Sequence, residues 1–276
     1  MMNGRGKIDL HTHSSASDGL FSPAELVEIV ASHGLSAVAL TDHDTLKGLG
    51  EASTAAKKKG IDFVPGVEIS SLEDGQELHI LGYFPKKPEI LAKKLSVLQE
   101  QRYERMKKVI TRLRDLGYPI TFNEVIAEAG GAAPGRLHLA RLMVKKNYVS
   151  SVNQAFYRFL KRGGPAYSER QTLNFAETID LLKKTGSIPV IAHPGTNARP
   201  LIDRLISFGL MGIEVFHPDH NYELTNYYLG LAHAKSLIVT GGTDFHGTSL
   251  KNPDYPVELT IKADYLMKLK KAAAVI

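Results

Sequence analysis

The sequence contains no cysteine. Disulfide bonds are therefore excluded, which fits a reducing compartment, and any metal ion must be held by nitrogen and oxygen ligands, as suits Zn, Mn or Fe. Long hydrophobic runs are also missing, because no apolar segment approaches the ~18–20 residues that cross a bilayer. A strand is predicted within the first eight residues, which leaves no room for a signal peptide. We therefore expect a cytoplasmic protein with no membrane partner.

A strong excess of charge of one sign is absent as well. The 34 Lys and Arg residues slightly outnumber the 29 Asp and Glu residues, which gives a net charge of +5 with histidine neutral. This mild basic excess favours a small anionic substrate over a protein that coats nucleic acid. The hydrophobic fraction of 43% and the charged fraction of 23% are typical of a folded globular chain. No obligate protein partner is indicated.

Short apolar strands alternate with amphipathic helices over most of the chain. Ser22-Pro23-Ala24-Glu25, for example, has the residues of a capping box with proline in the first turn, and it predicts a helix start. The alternation favours an α/β fold with parallel strands and helical crossovers. In a TIM-like barrel of this kind, the carboxyl ends of the strands meet on one face, where active sites are built. The predicted strands are 7–10, 37–40, 61–64, 78–84, 188–192, 213–216 and 237–240.

Residues 85–170 interrupt the alternation with helical, basic sequence. Apolar residues at helical spacing from Leu91 to Leu116 predict one long helix, and Thr121 with Glu124 predicts the start of another. We interpret this segment as a helical insertion that covers the active-site mouth of a barrel formed by residues 1–84 and 171–276. An enlarged loop that only stabilises the fold is the alternative.

Histidine and acidic residues recur where the predicted strands end. His-x-His on a strand places both imidazoles on one side, because side chains alternate with period two. A lone His-x-His is more often a surface or core feature, but the further acidic and histidine residues at strand ends change its interpretation. Such side chains are costly to bury, and a cluster of divalent metal ions would compensate them. The nine candidate ligands are His11, His13, Asp18, His43, Glu68, His79, His193, Asp244 and His246.

These motifs resemble those of the polymerase and histidinol phosphatase (PHP) family of metal-dependent phosphoesterases. The resemblance covers most of the chain, and no ligand position departs from the family pattern. It implies a distorted (β/α)7 TIM-like barrel, here with an inserted helical subdomain, that binds two or three divalent ions. It further implies one ion on His11, His13, Glu68 and Asp244, a second on Glu68, His79 and His193, and a third on Asp18, His43 and His246. The motifs that carry the resemblance are His11-x-His13, Thr41-Asp42-His43-Asp44, Glu68, His79, His193-Pro194 and Asp244-x-His246.

The expected reaction is attack on phosphorus by a hydroxide that bridges the metal ions, so no protein nucleophile is needed. His217 is expected to assist the leaving group. Arg136 could clamp a phosphate in bidentate fashion, although a solvated basic helix is the alternative. Tyr167 is a further residue that could face the substrate. The candidate substrate-binding residues are Arg136, His138, Arg162 and His217.

Several more polar residues near predicted strand ends have less specific interpretations. Asp42 and Asp44 are expected to orient His43 or to bind backbone groups. Glu214 is a candidate for contact with substrate or for orienting a metal ligand, and a structural role is the alternative. The histidines expected to be structural or exposed are His33, His220 and His233.

The insertion resembles in size that of the small nucleotide-acting branch of the PHP family. Two sequence motifs also resemble that branch, Arg136-x-His138-x-Ala140-Arg141 and Arg162-Gly-Gly-Pro-Ala-Tyr167. This resemblance implies removal of the 3'-phosphate from nucleoside 3',5'-bisphosphates, with trimming of short RNA as a related activity. Histidinol-phosphate phosphatase is the first competing function, but a basic insertion suits an anionic substrate better than an amine. A metal-bound module without turnover is the second, and an amidohydrolase that cleaves C–N bonds is the third.

Overall fold

The structure is a computed structural model that describes residues 6–130, 133–169, 172–247, 255–256 and 260–275. The chain forms two compact units, Met1–Lys94 with Leu173–Ile276, and Leu95–Thr172. The function predicted for residues 85–170, which is to cover the active site, stays a prediction.

Eight strands of the first unit form one sheet in the order β7-β6-β5-β4-β3-β2-β1-β8. Neighbouring strands are parallel from β1 to β3 and from β5 to β7, and the short β8 is antiparallel to β1. The predicted α/β fold with a TIM-like barrel is thereby confirmed. The strands are β1 (Lys7–Asp9), β2 (Ala37–Leu40), β3 (Asp62–Glu73), β4 (Gln76–Tyr83), β5 (Ile188–Ile191), β6 (Gly212–Phe216), β7 (Ile238–Gly241) and β8 (Ile261–Lys262).

One pair of strands differs from the predicted pattern. β3 and β4 form an antiparallel hairpin, and β4 is also antiparallel to β5, so parallel pairing is wrong at this point of the barrel. Asp74 and Gly75 connect the hairpin with φ values of 47° and 73°. An Asp-Gly pair readily adopts this left-handed turn, so the sequence did carry a signal for the hairpin. As a consequence, Glu68 and His79 lie within long strands, not at strand ends.

The barrel closes where the carboxyl ends of β1 and β7 meet. Three backbone hydrogen bonds join them. The N–H of Leu10 donates to the Gly241 carbonyl at 3.2 Å, and the N–H of His13 donates to the Phe245 carbonyl at 3.0 Å. In the other direction, the N–H of Asp244 donates to the His11 carbonyl at 2.9 Å. We call this contact between residues 10–13 and 241–245 the seam. It brings the ligand candidates from both ends of the chain onto the same face of the barrel.

Helices of the first unit pack on the outside of the strands. The predicted capping box at α1 is confirmed, since Ser22 Oγ accepts the Glu25 N–H and the Glu25 carboxylate accepts the Ser22 N–H. Apolar side chains of the strands fill the barrel interior, among them Ile8, Val64 and Leu81, all fully buried. These helices are α1 (Pro23–Ser32), α2 (Leu49–Lys59), α7 (Phe175–Lys184), α8 (Ile202–Phe208), α9 (Tyr222–Ala234) and α10 (Asp264–Val275).

The second unit is helical and has a hydrophobic core of its own. Leu113, Ile120, Val125, Leu139 and Met143 are almost fully buried in this core. Among the described residues of the whole chain, none of the helices combines the length and apolar character needed to cross a membrane. The unit contains the larger part of α3 (Pro88–Asp115), α4 (Phe122–Glu128), α5 (Arg136–Lys145), α6 (Val152–Ala155) and a π-helical turn (Phe156–Leu160).

Candidate metal centre

The nine ligand candidates come from segments that follow strands and from two residues within strands, Glu68 in β3 and His79 in β4. His11 and His13 follow β1, His43 follows β2, and His193 follows β5. The backbone of His43 pairs with that of Glu68 in β3, which places this imidazole beside the carboxylate. The seam adds Asp244, His246 follows the seam, and the loop after His13 adds Asp18.

A first group of donor atoms surrounds one oxygen of Glu68. Glu68 Oε2 lies 3.3 Å from His11 Nε2 and 3.2 Å from His13 Nε2. Asp244 Oδ1 lies 3.3 Å from His11 Nε2 and 3.1 Å from His13 Nε2. These four ligand atoms all lie within 4.8 Å of one another, and the four residues are those that the family resemblance implies for one ion.

A second group lies on the other side of His13. Asp18 Oδ1 is 3.3 Å from His246 Nε2 and 3.8 Å from His13 Nδ1, and Asp18 Oδ2 is 4.0 Å from His43 Nε2. His13 belongs to this cluster by geometry, in addition to the three residues that the resemblance implies. Its two ring nitrogens therefore face two different groups.

The other oxygen of Glu68 faces two further histidines. Glu68 Oε1 lies 2.8 Å from His79 Nδ1 and 3.1 Å from His193 Nε2. His43 Nδ1 lies 3.2 Å from Glu68 Oε2, so His43, Glu68 and His79 also form a compact group. The Glu68 carboxylate is therefore placed between groups of ligands, as expected for a residue that bridges two ions.

Several buried polar atoms of these groups have no hydrogen-bond partner among the described residues. They are His13 Nδ1, His43 Nδ1, Glu68 Oε2 and Asp244 Oδ1. A buried polar atom without a partner is costly, whereas coordination of a cation would satisfy it. Imidazole nitrogens and carboxylate oxygens are also the ligands that Zn and similar divalent ions prefer. The residues of this centre therefore fit divalent metal ions.

The charges of the groups depend strongly on one another. Burial alone lowers the pKa of His13, but Asp244 and Glu68 outweigh burial and raise this pKa to about 10. At His43 burial dominates and lowers the pKa to about 3. Burial raises the pKa of Glu68, yet the surrounding imidazoles, His43 foremost, outweigh it and hold this pKa well below its usual range. Since a metal ligand must be deprotonated, protons and cations compete for these nitrogens.

Two buried carboxylates hold the loops that carry the ligands. Asp42 accepts the Ser14 N–H at 2.8 Å, the Ser14 hydroxyl at 2.7 Å and the Ser17 hydroxyl at 2.6 Å, and so fixes the segment that leads to Asp18. The sequence pattern predicts that Asp42 orients His43 or binds backbone groups. The structure shows the second of these, since Asp42 accepts the backbone N–H of Ser14, and it adds the hydroxyl groups of Ser14 and Ser17.

Asp9 is the second of these carboxylates. The sequence pattern places it in a predicted strand and gives no sign of a functional role. Its carboxylate accepts the backbone N–H groups of His11 and Thr243, both at 3.0 Å, and the Thr243 hydroxyl at 2.6 Å. Tyr255 donates a further hydrogen bond to it. Asp9 therefore joins the two sides of the seam, next to ligands on both sides.

His217 is nearly buried beside the first group. Its Nδ1 accepts the backbone N–H of Asp219 at 3.1 Å, while Nε2 lies 3.8 Å from Asp244 Oδ2 and has no hydrogen-bond partner among the described residues. Because Nδ1 accepts a hydrogen bond, the neutral ring carries its proton on Nε2. That proton faces the centre.

The remaining histidines of the first unit have local partners or lie at helix ends. His220 Nδ1 lies 2.9 Å from the Val215 carbonyl, and His220 Nε2 accepts the Gly195 N–H. His33 is the C-cap of α1, and His233 lies in the last turn of α9.

The remaining substrate-binding candidates belong to the second unit. Arg136 donates to the Leu160 carbonyl at 3.4 Å, and the buried His138 accepts the Gly135 N–H at 3.1 Å at the start of α5. Arg162 is exposed. Contact of these residues with a substrate stays a prediction.

Fold and site together define a metal-binding α/β barrel hydrolase. The family model described as "PHP domain" matches residues 9–169, and the chain belongs to the PHP family. It is 34% identical over 249 residues to a protein of Haemophilus influenzae named 5'-3' exoribonuclease, covering 87% of this chain and 90% of that one. It is also 34% identical over 248 residues to a 3',5'-nucleoside bisphosphate phosphatase of Chromobacterium violaceum, covering 87% of both.

A solved structure named as a metal-dependent phosphoesterase, from Bifidobacterium adolescentis, matches with a TM-score of 0.87 at 29% identity over 96% of both chains. These relatives and the ligand cluster support a hydrolase that acts on phosphate esters and binds divalent metal ions.

Proposed function

We propose that the protein removes the 3'-phosphate from nucleoside 3',5'-bisphosphates and also shortens small oligoribonucleotides. The observation that carries the metal-dependent hydrolysis in this proposal is the Glu68 carboxylate, which faces donor groups with both of its oxygens in a buried cluster. Identity of 34% over most of the chain to relatives named for nucleotide and RNA substrates favours this class of phosphate ester.

Two or three divalent ions are part of the proposal, with Mn, Zn and Fe as candidates. When bound, such ions would supply Lewis-acid stabilisation of the phosphoryl oxygens and would polarise a water molecule for attack. Residues His11, His13 and Asp244 would hold one ion with Glu68. Residues Asp18, His43 and His246 would hold another, and His79 and His193 would hold a third with Glu68.

Three hydroxyl groups in the segment that carries His11, His13 and Asp18 are engaged in the fold, which favours water as the nucleophile. Ser14 and Ser17 donate to Asp42, and Thr12 donates to the Ala39 carbonyl at 2.6 Å. The sequence offers no cysteine thiol either. His217 would donate its Nε2 proton to an oxygen of the substrate, because its other nitrogen is held by the Asp219 backbone.

The substrate is tested with the purified chain and Mn²⁺. We expect adenosine 3',5'-bisphosphate to yield AMP and phosphate with a higher kcat/KM than histidinol phosphate, because a pocket for an anionic nucleotide disfavours the substrate amine. Phosphate release is measured for both, and the shortening of a 5'-phosphorylated oligoribonucleotide is followed by electrophoresis. Faster hydrolysis of histidinol phosphate than of any nucleotide would reverse the assignment.

His217→Phe is expected to lower kcat/KM for the bisphosphate about 10- to 150-fold, since loss of one hydrogen bond to a charged group costs roughly 1.5–3 kcal/mol. The number of metal ions per chain should not change, because Nε2 carries the proton and is not a ligand. Steady-state kinetics and elemental analysis check both parts.

His217→Gln is the matched control, because its amide can place an N–H near the position of Nε2. It should retain more activity than the phenylalanine variant. Loss of a metal ion in either variant would make His217 a ligand and contradict the proposed donor.

A further inference from the structure

Glu214 of β6 places a fully buried carboxylate beside two ligand-bearing segments. Its Oε1 and Oε2 atoms lie 3.0 and 3.1 Å from His11 Nδ1. Its Oε2 also accepts the backbone N–H of His193 at 2.8 Å. The side chains of His11 and Glu214 are both 0% exposed. One carboxylate therefore contacts residues that follow two different strands, β1 and β5.

At His11 this contact decides which nitrogen is available to a metal ion. With Nδ1–H donating to the carboxylate, the lone pair of Nε2 faces His13, Glu68 and Asp244. A carboxylate behind a histidine ligand fixes the orientation of the ring and increases its basicity.

At His193 the same carboxylate stabilises an uncommon backbone conformation. His193 has a φ of 25°, in the region that favours glycine. Its N–H is held by Glu214, and its ring is directed so that Nε2 lies 3.1 Å from Glu68 Oε1. A change at Glu214 would therefore move the backbone from which this imidazole projects.

The sequence left open whether Glu214 contacts the substrate. Both of its oxygens have partners within the protein, and the whole residue is 0% exposed, so neither oxygen is available to a ligand. We infer that Glu214 is a positioning residue that couples His11 and His193, the ligands on the two sides of Glu68. This inference rests on the metal centre of the proposed function but not on its substrate.

Asp42 provides a reciprocal control for Glu214. It is also a buried carboxylate that is not itself among the nine ligand candidates, but it holds the loop to Asp18 and so belongs to the second group. Glu214→Gln and Asp42→Asn each remove one buried charge with little change in volume. If both residues position ligands, the two variants should weaken different parts of the centre.

The experiment uses the full chain, stripped of metal and titrated with Zn²⁺ against a chelator. Glu214→Gln should weaken Zn²⁺ binding about 10- to 100-fold at the positions of His11 and His193, as expected for loss of a carboxylate behind a ligand. Binding at His246 should stay close to that of the unchanged protein. Asp42→Asn should weaken binding at His246 and leave binding at the positions of His11 and His193 close to that of the unchanged protein. Imidazole ¹⁵N resonances of the assigned histidines identify the position affected, and a downfield Nδ1–H signal of His11 should be lost or shifted only in Glu214→Gln.

Unchanged Zn²⁺ affinity and an unchanged His11 resonance in Glu214→Gln would overturn the inference. Equal weakening at all positions in both variants, in parallel with the loss of unfolding free energy of the metal-free protein, would overturn it as well, because it would indicate a general structural effect. No substrate is present in these measurements. Failure of the chain to hydrolyse a nucleoside bisphosphate would therefore reject the proposed function and leave this result unaffected.

Discussion

Glu68→Gln is expected to lower kcat/KM for phosphate-ester hydrolysis by more than about 10³-fold, since several kcal/mol of charge stabilisation would be lost with the ions. The amide keeps the volume of the side chain but removes the negative charge between the ligand groups. Two cations would then repel each other without a shared anion. Elemental analysis should show fewer ions per chain, and phosphate release with Mn²⁺ should fall to the background level.

The matched control is Glu73→Gln, the same substitution on the same strand. Glu73 is partly buried at the far end of β3 and pairs with Arg204, whose side chain is about half exposed, and it belongs to none of the ligand groups, so its loss should change activity and ion content little. Full ion content and full activity in Glu68→Gln would show that Glu68 does not bridge the groups.

Gly242→Ala is expected to lower the free energy of unfolding by about 3 kcal/mol, at the upper end of the usual effect of overpacking. A Cβ atom at this position would lie 2.4 Å from both N and Cβ of His11, and 2.7 Å from Asp9 Oδ1. The seam would have to open to accept it, and the ligands on its two sides would separate. Urea unfolding of the metal-free chain measures the stability, and Zn²⁺ titration measures the effect on the centre.

Gly230→Ala in α9 is the control for the loss of a glycine. Apart from its chain neighbours and the backbone of its own helix, no described atom lies within 4 Å of a Cβ placed there, and alanine favours a helix more than glycine does. This variant should be as stable as the unchanged protein, or up to about 1 kcal/mol more stable. A Gly242→Ala protein of unchanged stability would show that the backbone of the seam can accommodate a Cβ atom at this position.

The clustering of the candidate ligands could be predicted because metal sites impose local patterns. His11-x-His13 is a local pattern by itself, and most of the other candidates follow predicted strands, so period and residue type single out side chains that the fold brings close together. The barrel follows from the same reasoning, since its strands converge on one face where residues far apart in sequence can meet. Sequence patterns are strongest where one element by itself decides the positions of side chains.

Contacts between distant elements could not be predicted in this way. Asp9 and Glu214 are single acidic residues in apolar strands, and only the folded barrel shows that they contact Thr243 and His193. The assignment of ring nitrogens also depends on partners outside the strand that carries the histidine, as the contact of His217 with the Asp219 N–H shows. Basic residues such as Arg136 fit a solvated helix and a phosphate site equally well, so sequence composition alone could not separate the two.

The seam also determines the order in which the centre can form. Asp9 and Thr243, whose hydrogen bonds hold the two sides of the seam together, are 234 residues apart. During synthesis, His11 and His13 leave the ribosome long before Asp244 exists, so the four-ligand group has only part of its donors through most of translation. Stable metal uptake at this group must therefore follow closure of the barrel, and a nascent chain exposes a pair of histidines that can hold an ion only weakly.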